Sequence, residues 1–436
     1  MRQNGWFATT AAVCCVLAVA VSSAADGQPS LPELQAAARK NAFGVREAWA
    51  VVAQREREAD EAWHRLLPTI SAQGSYHLNQ YQVEAPMPAP AMAEPVNATF
   101  TARNQWDFEL NGKLPLVDVS RWFAIDAASK GAQAERAQVH ATENSVEQSL
   151  VKTYFEALGA EAVVRAAGGS YAAARENLAY LETQLKAGVV SELDVQRVRA
   201  ELVRVEQVTA QAEYTRATLV RSLETQTGLK ISPPYLALEP DDLHAEAPLE
   251  TWLSTADSTH AVTASRLRIV ALEGQAAQQR AGLIPALQLE ASERVTNAPG
   301  FGKSPYYSVG VVAKWNLDLA TYTGARALDA AATASRVRAA RQMAETRDAI
   351  HDAWQHVIAL IAKCKTTRID LQVAQEFSAL TARQYAAGTT ALLTLVQARR
   401  DTLSAEVAAL QADADLEAAR ALLRLSSGHA ASVKGP

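Results

Sequence analysis

The chain has 436 residues, a formal net charge of -5 and an aromatic content of 6%. At roughly 150 residues per domain, this length allows two or three domains. The negative net charge argues against a nucleic-acid-binding protein, because such proteins usually carry a basic face. The low aromatic content disfavours a compact core built on rings, whereas the many alanine and aliphatic residues favour long helices that approach closely.

The first 25 residues have the organisation of a secretory signal. Arg2 supplies a positive start, residues 7–21 form an apolar stretch, and small residues at 23–25 suit a cleavage site. The alternative is a membrane anchor, but the stretch is short for a span of about 20 residues. We predict that residues 1–25 are a signal peptide and that the mature chain is exported.

Cysteine usage argues against a disulfide framework. Cys14 and Cys15 lie inside the apolar stretch rather than behind a lipidation motif, so we do not expect a lipid anchor. Removal of the signal leaves Cys364 as the only cysteine, and one cysteine cannot form an intrachain disulfide. No later stretch is long and apolar enough to predict a transmembrane helix.

A segment that occurs twice divides the mature chain. Residues 186–195 reappear loosely as residues 386–395, and each copy contains an Ala-Gly break within a long helical pattern. A duplicated break indicates two copies of one supersecondary unit. We predict one structural repeat over residues 26–238 and a second over residues 239–436, each with a helix, a β-hairpin and a long helical hairpin.

Each predicted repeat begins with a helix that ends at a proline. Residues 59–67 precede Pro68, and residues 267–284 precede Pro285. Proline restricts the residue before it and commonly ends a helix, so these two prolines mark the change from helix to strand.

Alternating apolar and polar residues follow each proline and predict half-buried strands. In the first repeat Trp106, Phe108 and Leu110 alternate with polar residues, and in the second repeat residues 287–292 and 307–316 alternate in the same way. Residues 68–83 give the weakest of the four patterns, because their alternation fades after Leu78. Each repeat thus offers two strands of roughly ten residues, the length that a tilted transmembrane strand needs.

Two interpretations of these strands remain open. One is a water-soluble antiparallel sheet with one wet face, and the other is a membrane β-barrel with an apolar outside. Rings at the strand ends fit an interfacial aromatic girdle, namely Tyr76, Trp106, Tyr307 and Trp315. Because four strands cannot close a barrel and lipid does not tolerate open edges, the barrel interpretation requires several protomers to pool their strands.

Long helical patterns fill the rest of each repeat. They cover residues 119–188 and 192–228 in the first repeat, and residues 325–386 and 392–425 in the second. At about 1.5 Å per residue, roughly 65 residues make a rod near 100 Å. We predict two antiparallel hairpins of about this height, with the Ala-Gly breaks at their tips.

Motifs for catalysis, metal binding and phosphate binding are incomplete. Residues 301–304 end like a phosphate-binding loop but lack its earlier glycine, and His351 and His356 do not have the spacing of zinc ligands on a helix. Neither a Gly-x-Ser-x-Gly elbow nor a Cys/His dyad stands out. We predict that the chain is not an enzyme and has no cofactor and no metal site.

With these parts in order, the chain resembles the outer-membrane efflux protein family, the TolC-like channels. The motifs that carry the resemblance are Leu66-Leu67-Pro68, Leu283-Ile284-Pro285, Lys113-Leu114-Pro115-Leu116-Val117-Asp118, Lys314-Trp315-Asn316-Leu317-Asp318 and Tyr385-Ala386-Ala387-Gly388-Thr389. Each motif alone is weak evidence, but the motifs occur in the same order in both repeats, and together they span nearly the whole mature chain.

The resemblance implies a homotrimer in the bacterial outer membrane. Three protomers of four strands would form one twelve-stranded transmembrane β-barrel, and their helices would form a hollow α-barrel across the periplasm. Such a channel docks on a periplasmic adaptor protein and an inner-membrane pump, and its substrate leaves the cell chemically unchanged. The helix-tip turns at Gly188, Val189, Gly388 and Thr389 are the positions expected to dock the adaptor.

The resemblance also implies a constriction at the periplasmic tips. Asp194 matches an acidic position of the family, and three copies would form a carboxylate ring that favours cations. In the second repeat the acidic positions fall on Thr394 and Gln397, and the gating arginine position falls on Thr390. Tyr385 is expected to remain as a hydrogen-bonding partner. The alternative for Asp194 is an exposed, solvated helix residue.

The sequence therefore predicts a mixed α and β fold that is mostly α, with an internal duplication. The predicted function is the outer-membrane exit duct of a tripartite efflux pump or a type I secretion system. The sequence does not identify the substrate, because the pump and the adaptor select it. The alternative is a soluble periplasmic coiled-coil protein, with a structural or an adaptor role.

Overall fold

The computed structural model describes residues 29–86, 97–232 and 240–429. The predicted signal peptide and the predicted boundary between the two repeats lie outside these residues. The helices are α1 (Leu31–Asn41), α2 (Phe43–His64), α3 (Val119–Lys186), α4 (Glu192–Thr227), α5 (Leu249–Leu253), α6 (His260–Ala281), α7 (Leu319–Ala386) and α8 (Leu392–Ser426). The strands are β1 (Thr69–Leu78), β2 (Val83–Pro86), β3 (Asn97–Thr101), β4 (Asn104–Val117), β5 (Ala286–Thr296) and β6 (Tyr306–Lys314).

Two helices of equal length form the frame of the molecule. α3 and α7 each have 68 residues, which corresponds to a rod of about 100 Å. α4 and α8 have 36 and 35 residues, close to the predicted bounds, so each hairpin has one arm of about 100 Å, as predicted, and a returning arm of about half that length. Each returning helix covers about half of its partner, and α2 and α6 pack along the remaining length of α3 and α7.

Four strands form one antiparallel sheet in the order β1-β4-β5-β6. The register places Tyr76 opposite Trp106 and Gly74 opposite Phe108, whereas Ser75 lies opposite Asp107. Side chains of a strand alternate between the two faces of the sheet, so one face is mostly apolar and the other is polar. The predicted alternation is confirmed across all four strands, and the strands β1 and β6 form the two edges of the sheet.

The first repeat carries a second, smaller hairpin that the sequence did not predict. A short additional hairpin, β2 paired with β3, lies between β1 and β4. Its strands have four and five residues, and proline lies at the end of β2. Strands this short give little periodicity, which explains why the alternation did not reveal them.

Apolar clusters hold the segments outside the hairpins against the long helices. In the first repeat, Leu34 and Ala38 of α1 pack against Leu150 of α3 and Leu223 of α4. In the second repeat, Trp252 of α5 joins a cluster on α7 and α8, whose buried members include Ile350, Val357, Cys364, Ala412, Leu416 and Leu423.

Within the described ranges, we find no helix that is both long and apolar enough to cross a membrane.

Candidate functional site at the helix tips

The first helix tip is a tight turn between α3 and α4. Gly188 has a φ of 73°. Its N–H donates to the carbonyl of Leu185 over 2.9 Å, and the N–H of Val189 donates to the carbonyl of Gln184 over 3.0 Å. This pair of bonds is the Schellman arrangement, which satisfies the last carbonyls of a helix and places a left-handed residue after it.

The second tip, between α7 and α8, has the same geometry. Gly388 also has a φ of 73°, and its N–H donates to the carbonyl of Tyr385 over 2.9 Å. The N–H of Thr389 donates to the carbonyl of Gln384 over 3.0 Å. A side chain added at Gly188 or Gly388 would meet nothing within 4 Å, so the positive φ and not a lack of space explains the glycines.

Asp194 lies in the first turn of α4 and both of its carboxylate oxygens have partners. Ser191 precedes the helix, and its hydroxyl donates to Asp194 Oδ2 over 2.7 Å. Arg197 Nη1 donates to Asp194 Oδ1 over 3.3 Å. The backbone N–H of Asp194 donates in return to Ser191 Oγ over 3.2 Å, which makes Ser191 the N-cap of α4.

Tyr385 of the second tip lies close to Asp194 of the first tip. Burial is the main cause that raises the pKa of Tyr385 above its ordinary value, and the negative charge of Asp194 and the neighbouring Tyr180 raise it further. Tyr385 packs against a buried apolar cluster that joins both tips, made of Leu181, Val195, Val198, Leu392 and Leu395. The structure therefore brings Asp194 and Tyr385 into one neighbourhood.

The other predicted residues of the second tip carry no charge. Thr390 and Thr394 are half-buried, and Gln397 is exposed. Ala391 occupies the N-cap position of α8 and offers no side-chain hydrogen bond there. The two tips thus share one backbone but differ in their polar side chains.

Sequence reasoning missed Ser191, Arg197 and Tyr180. A signal for the first two was present, because Ser191 and Asp194 have the three-residue spacing of a helix cap and Arg197 follows Asp194 by one helical turn. No local pattern pointed to Tyr180, since its effect on Tyr385 depends on the packing of one hairpin against the other.

The predicted girdle residues are exposed and lie at different ends of the sheet. Tyr76 and Trp106 are paired in register near the end where β4 follows the additional hairpin. Tyr307 lies opposite Glu293 and is 81% exposed. Trp315 follows β6 at the helical end, where its Nε1 donates to the carbonyl of Leu283 over 3.0 Å.

Ion pairs connect neighbouring strands on the polar face of the sheet. Arg294 Nη2 lies 2.6 Å from Asp107 Oδ1, and Lys314 Nζ lies 3.3 Å from Glu290 Oε1. Pairing of opposite charges across strands stabilises a sheet and leaves this face hydrophilic.

One cluster has the composition of a metal site. Asp241, Asp242 and His244 bring ligand atoms within 4.8 Å of one another. Arg420, however, lies among them: its Nη2 donates to Asp241 Oδ1 over 3.1 Å, and its Nη1 contacts His244 Nε2 and donates to Glu246 over 2.7 Å. Because a buried guanidinium supplies the positive charge here, we assign this cluster a structural role.

Comparison with known proteins identifies the family. A sequence profile for outer membrane efflux proteins matches residues 34–229 and again residues 254–429. No curated protein sequence matches the chain significantly.

Solved outer-membrane channels share the fold. The outer-membrane channel OprN is 20% identical, with 92% of this chain and 91% of that chain covered and a TM-score of 0.70. The CmeC outer membrane channel of Campylobacter jejuni is 16% identical, with 100% and 96% covered and a TM-score of 0.74. The MtrE outer membrane channel of Neisseria gonorrhoeae, in its open state, is 17% identical, with 92% and 89% covered and a TM-score of 0.70.

The chain belongs to the outer membrane efflux protein family, as its doubled motifs predicted. It is an outer-membrane exit duct of an efflux pump, with a large helical portion in the periplasm. The family consists of efflux channels and is not a family of enzymes.

Proposed function

We propose that three copies of this chain assemble side by side into one duct, closed at the helix tips and opened when an adaptor docks there. The observation that carries this proposal is that the protomer has two complementary free edges. Strands β1 and β6 end the sheet, and neither has a further strand partner in the described part of the chain. Unpaired edges are costly in lipid, and pairing β6 of one protomer with β1 of the next removes them.

Three protomers would pool twelve strands, with the apolar face toward outer-membrane lipid and the polar face toward the lumen. Apolar residues on the outward face include Leu110, Val309 and Val311, which are 40%, 64% and 62% exposed in the protomer. The rings of Tyr76, Trp106, Tyr307 and Trp315 would lie in the interfacial girdles.

The helical layer has a free apolar edge as well. On α7, four large apolar side chains recur at helical spacing and remain exposed, namely Ile369, Val373, Phe377 and Leu380. Exposed apolar stripes of this kind indicate a protein interface. In the assembly this stripe would pack on a neighbouring protomer and continue the helical wall around the duct.

The tips would provide the gate and the docking site. Asp194 and Tyr385 lie together at the junction of the two hairpins, and Thr390, Thr394 and Gln397 complete the constriction with uncharged side chains. The exposed turns at Gly188, Val189, Gly388 and Thr389 are free to contact a periplasmic adaptor, which links the duct to an inner-membrane pump. The pump supplies the energy, and the duct passes the substrate unchanged.

Assembly is tested by placing a charge in the α7 stripe. Val373→Asp should convert the trimer in detergent to monomers and abolish conductance in planar bilayers, because a buried, unpaired carboxylate costs several kcal/mol. Light scattering of the purified protein measures the mass. Val373→Leu keeps the stripe apolar and should remain trimeric. A wild-type protein that is monomeric in detergent and inserts without conductance would overturn the proposal.

A further inference from the structure

The surroundings of Asp194 lead to one more inference about the constriction. Both oxygens of this carboxylate are engaged within its own helix, one by Ser191 and the other by Arg197. The Asp194 side chain is 28% exposed and that of Arg197 is 39% exposed, so the pair lies at the surface of the tip rather than in the core.

Arg197 shares a helix face with Asp194. Residues three apart on an α-helix lie on one side, about 4.5 Å apart along the axis. If Asp194 lines the pore, Arg197 therefore lines it as well, one turn further from the tip. In the trimer a ring of three guanidinium groups would follow directly above a ring of three carboxylates.

The second tip does not change this charge balance. The residue that corresponds to Asp194 is Thr394, and the residue that corresponds to Arg197 is Gln397, so neither position contributes a charge. Among the residues assigned to the constriction, each protomer then brings one negative side chain, Asp194, and one positive side chain, Arg197. The cation preference expected from the sequence depended on a net negative ring, and Arg197 removes that net charge.

We propose that Arg197 is the specificity-determining residue of the constriction, and that it makes the closed end of the duct tolerant of anionic and zwitterionic substrates. This inference rests on the proposed function, because it needs Asp194 to line the pore of a trimer. A bare carboxylate ring would repel anions. With a guanidinium beside each carboxylate, an acidic or zwitterionic amphiphile meets a local partner for its own negative group.

The test is the reversal potential of single channels in planar bilayers under a gradient of potassium chloride. The wild-type duct should show a K⁺ to Cl⁻ permeability ratio within about twofold of one, and Arg197→Gln should raise this ratio roughly threefold, as expected for loss of a partly exposed ion-pair partner. Asp194→Asn should shift the ratio toward chloride. Circular dichroism and the trimer mass confirm that each variant is folded.

Arg199→Gln is the matched control. Arg199 is also an exposed arginine of α4, but it pairs with Glu182 of α3, with Nη2 and Oε1 2.8 Å apart, and lies two positions from Arg197 on a different side of the helix. This control should leave the permeability ratio unchanged. A strongly cation-selective wild-type channel, or an equal ratio in wild type and Arg197→Gln, would overturn the inference. A trimer without conductance would instead overturn the proposed function.

Discussion

The first tip carries a capping serine at 191 and an ion pair between Asp194 and Arg197. The second tip begins α8 at Ala391 without a side-chain cap and places Thr394 where the first tip has its carboxylate. Both tips nevertheless make the same two backbone bonds around a glycine at φ 73°. The backbone of a duplicated unit is therefore retained while its polar side chains diverge, and the charge chemistry of the constriction falls to one repeat.

In the middle of the molecule the second repeat, not the first, carries the larger cluster of charged side chains. In the first repeat α1 is held by apolar contacts, in which Leu34 and Ala38 are almost fully buried, and by one ion pair between Arg39 and the buried Glu147. In the second repeat the segment before α5 is held by buried charges around Arg420, whose side chain is 3% exposed. Both repeats thus bury apolar surface here, and the second repeat adds a cluster of buried charges around Arg420 to the apolar contacts of Trp252.

Among the substitutions that test the differences between the two repeats, removal of the Arg420 side chain should cause the largest loss of stability. Its Nε lies 2.9 Å from Asp241 Oδ2, and both carboxylates that it faces, Asp241 and Glu246, are more than nine-tenths buried. Arg420→Ala leaves these charges unpaired, so we expect a loss of about 3–5 kcal/mol in the free energy of unfolding. Urea unfolding of the detergent-solubilised protein, followed by circular dichroism, measures the loss.

The corresponding position of the first repeat supplies the control for this experiment. Val220 lies 200 residues before Arg420 and is half-buried. Val220→Ala should cost about 1 kcal/mol or less, because only two methyl groups are removed from a partly exposed site. Equal losses at the two positions would show that the charges around Arg420 do not hold the segment in place.

Exchange of the N-cap residues of α4 and α8 should change the stability by a smaller amount, and it tests whether the two tips differ in their helix caps. Ser191→Ala removes the cap of α4 and should destabilise the protein by about 1 kcal/mol, whereas Ala391→Ser offers α8 the cap that it lacks and should stabilise it by a similar amount. The same unfolding measurement applies. Unchanged or increased stability in Ser191→Ala would contradict the assignment of Ser191 as a cap.

Much of this fold is predictable because its signals are local. A proline-free helical pattern, an Ala-Gly break and a period of two each act over a few residues, and the structure confirms the long helices, the turns at Gly188 and Gly388, and the alternating strands. The position of α2 and α6 beside α3 and α7 was not predictable in this way, because it is a matter of tertiary packing.

The polar chemistry of the tips was only partly predictable. The resemblance to the family pointed to Asp194 and Tyr385, and the structure brings them close together. The role of Arg197 depends on which oxygen of Asp194 is already engaged by Ser191, and the network around Arg420 joins residues almost 180 positions apart. The network around Arg420 leaves no periodic signal, since it is set by packing between elements. Ser191, Asp194 and Arg197, in contrast, recur every three residues, and this local spacing is visible in the sequence.

In the proposed duct the two tips close one pore but contribute unequally to its closure. Single-channel recordings test this most directly, by comparing the open fraction of Asp194→Ala and of the double variant Thr394→Ala with Gln397→Ala with that of wild type. We predict that Asp194→Ala raises the open fraction by up to about fivefold, because it removes the electrostatic interaction between Asp194 of the first tip and Tyr385 of the second, and a partly exposed contact of this kind contributes up to about 1 kcal/mol. The double variant should have the open fraction of wild type. A higher open fraction in the double variant, with no change in Asp194→Ala, would contradict the unequal roles of the two tips.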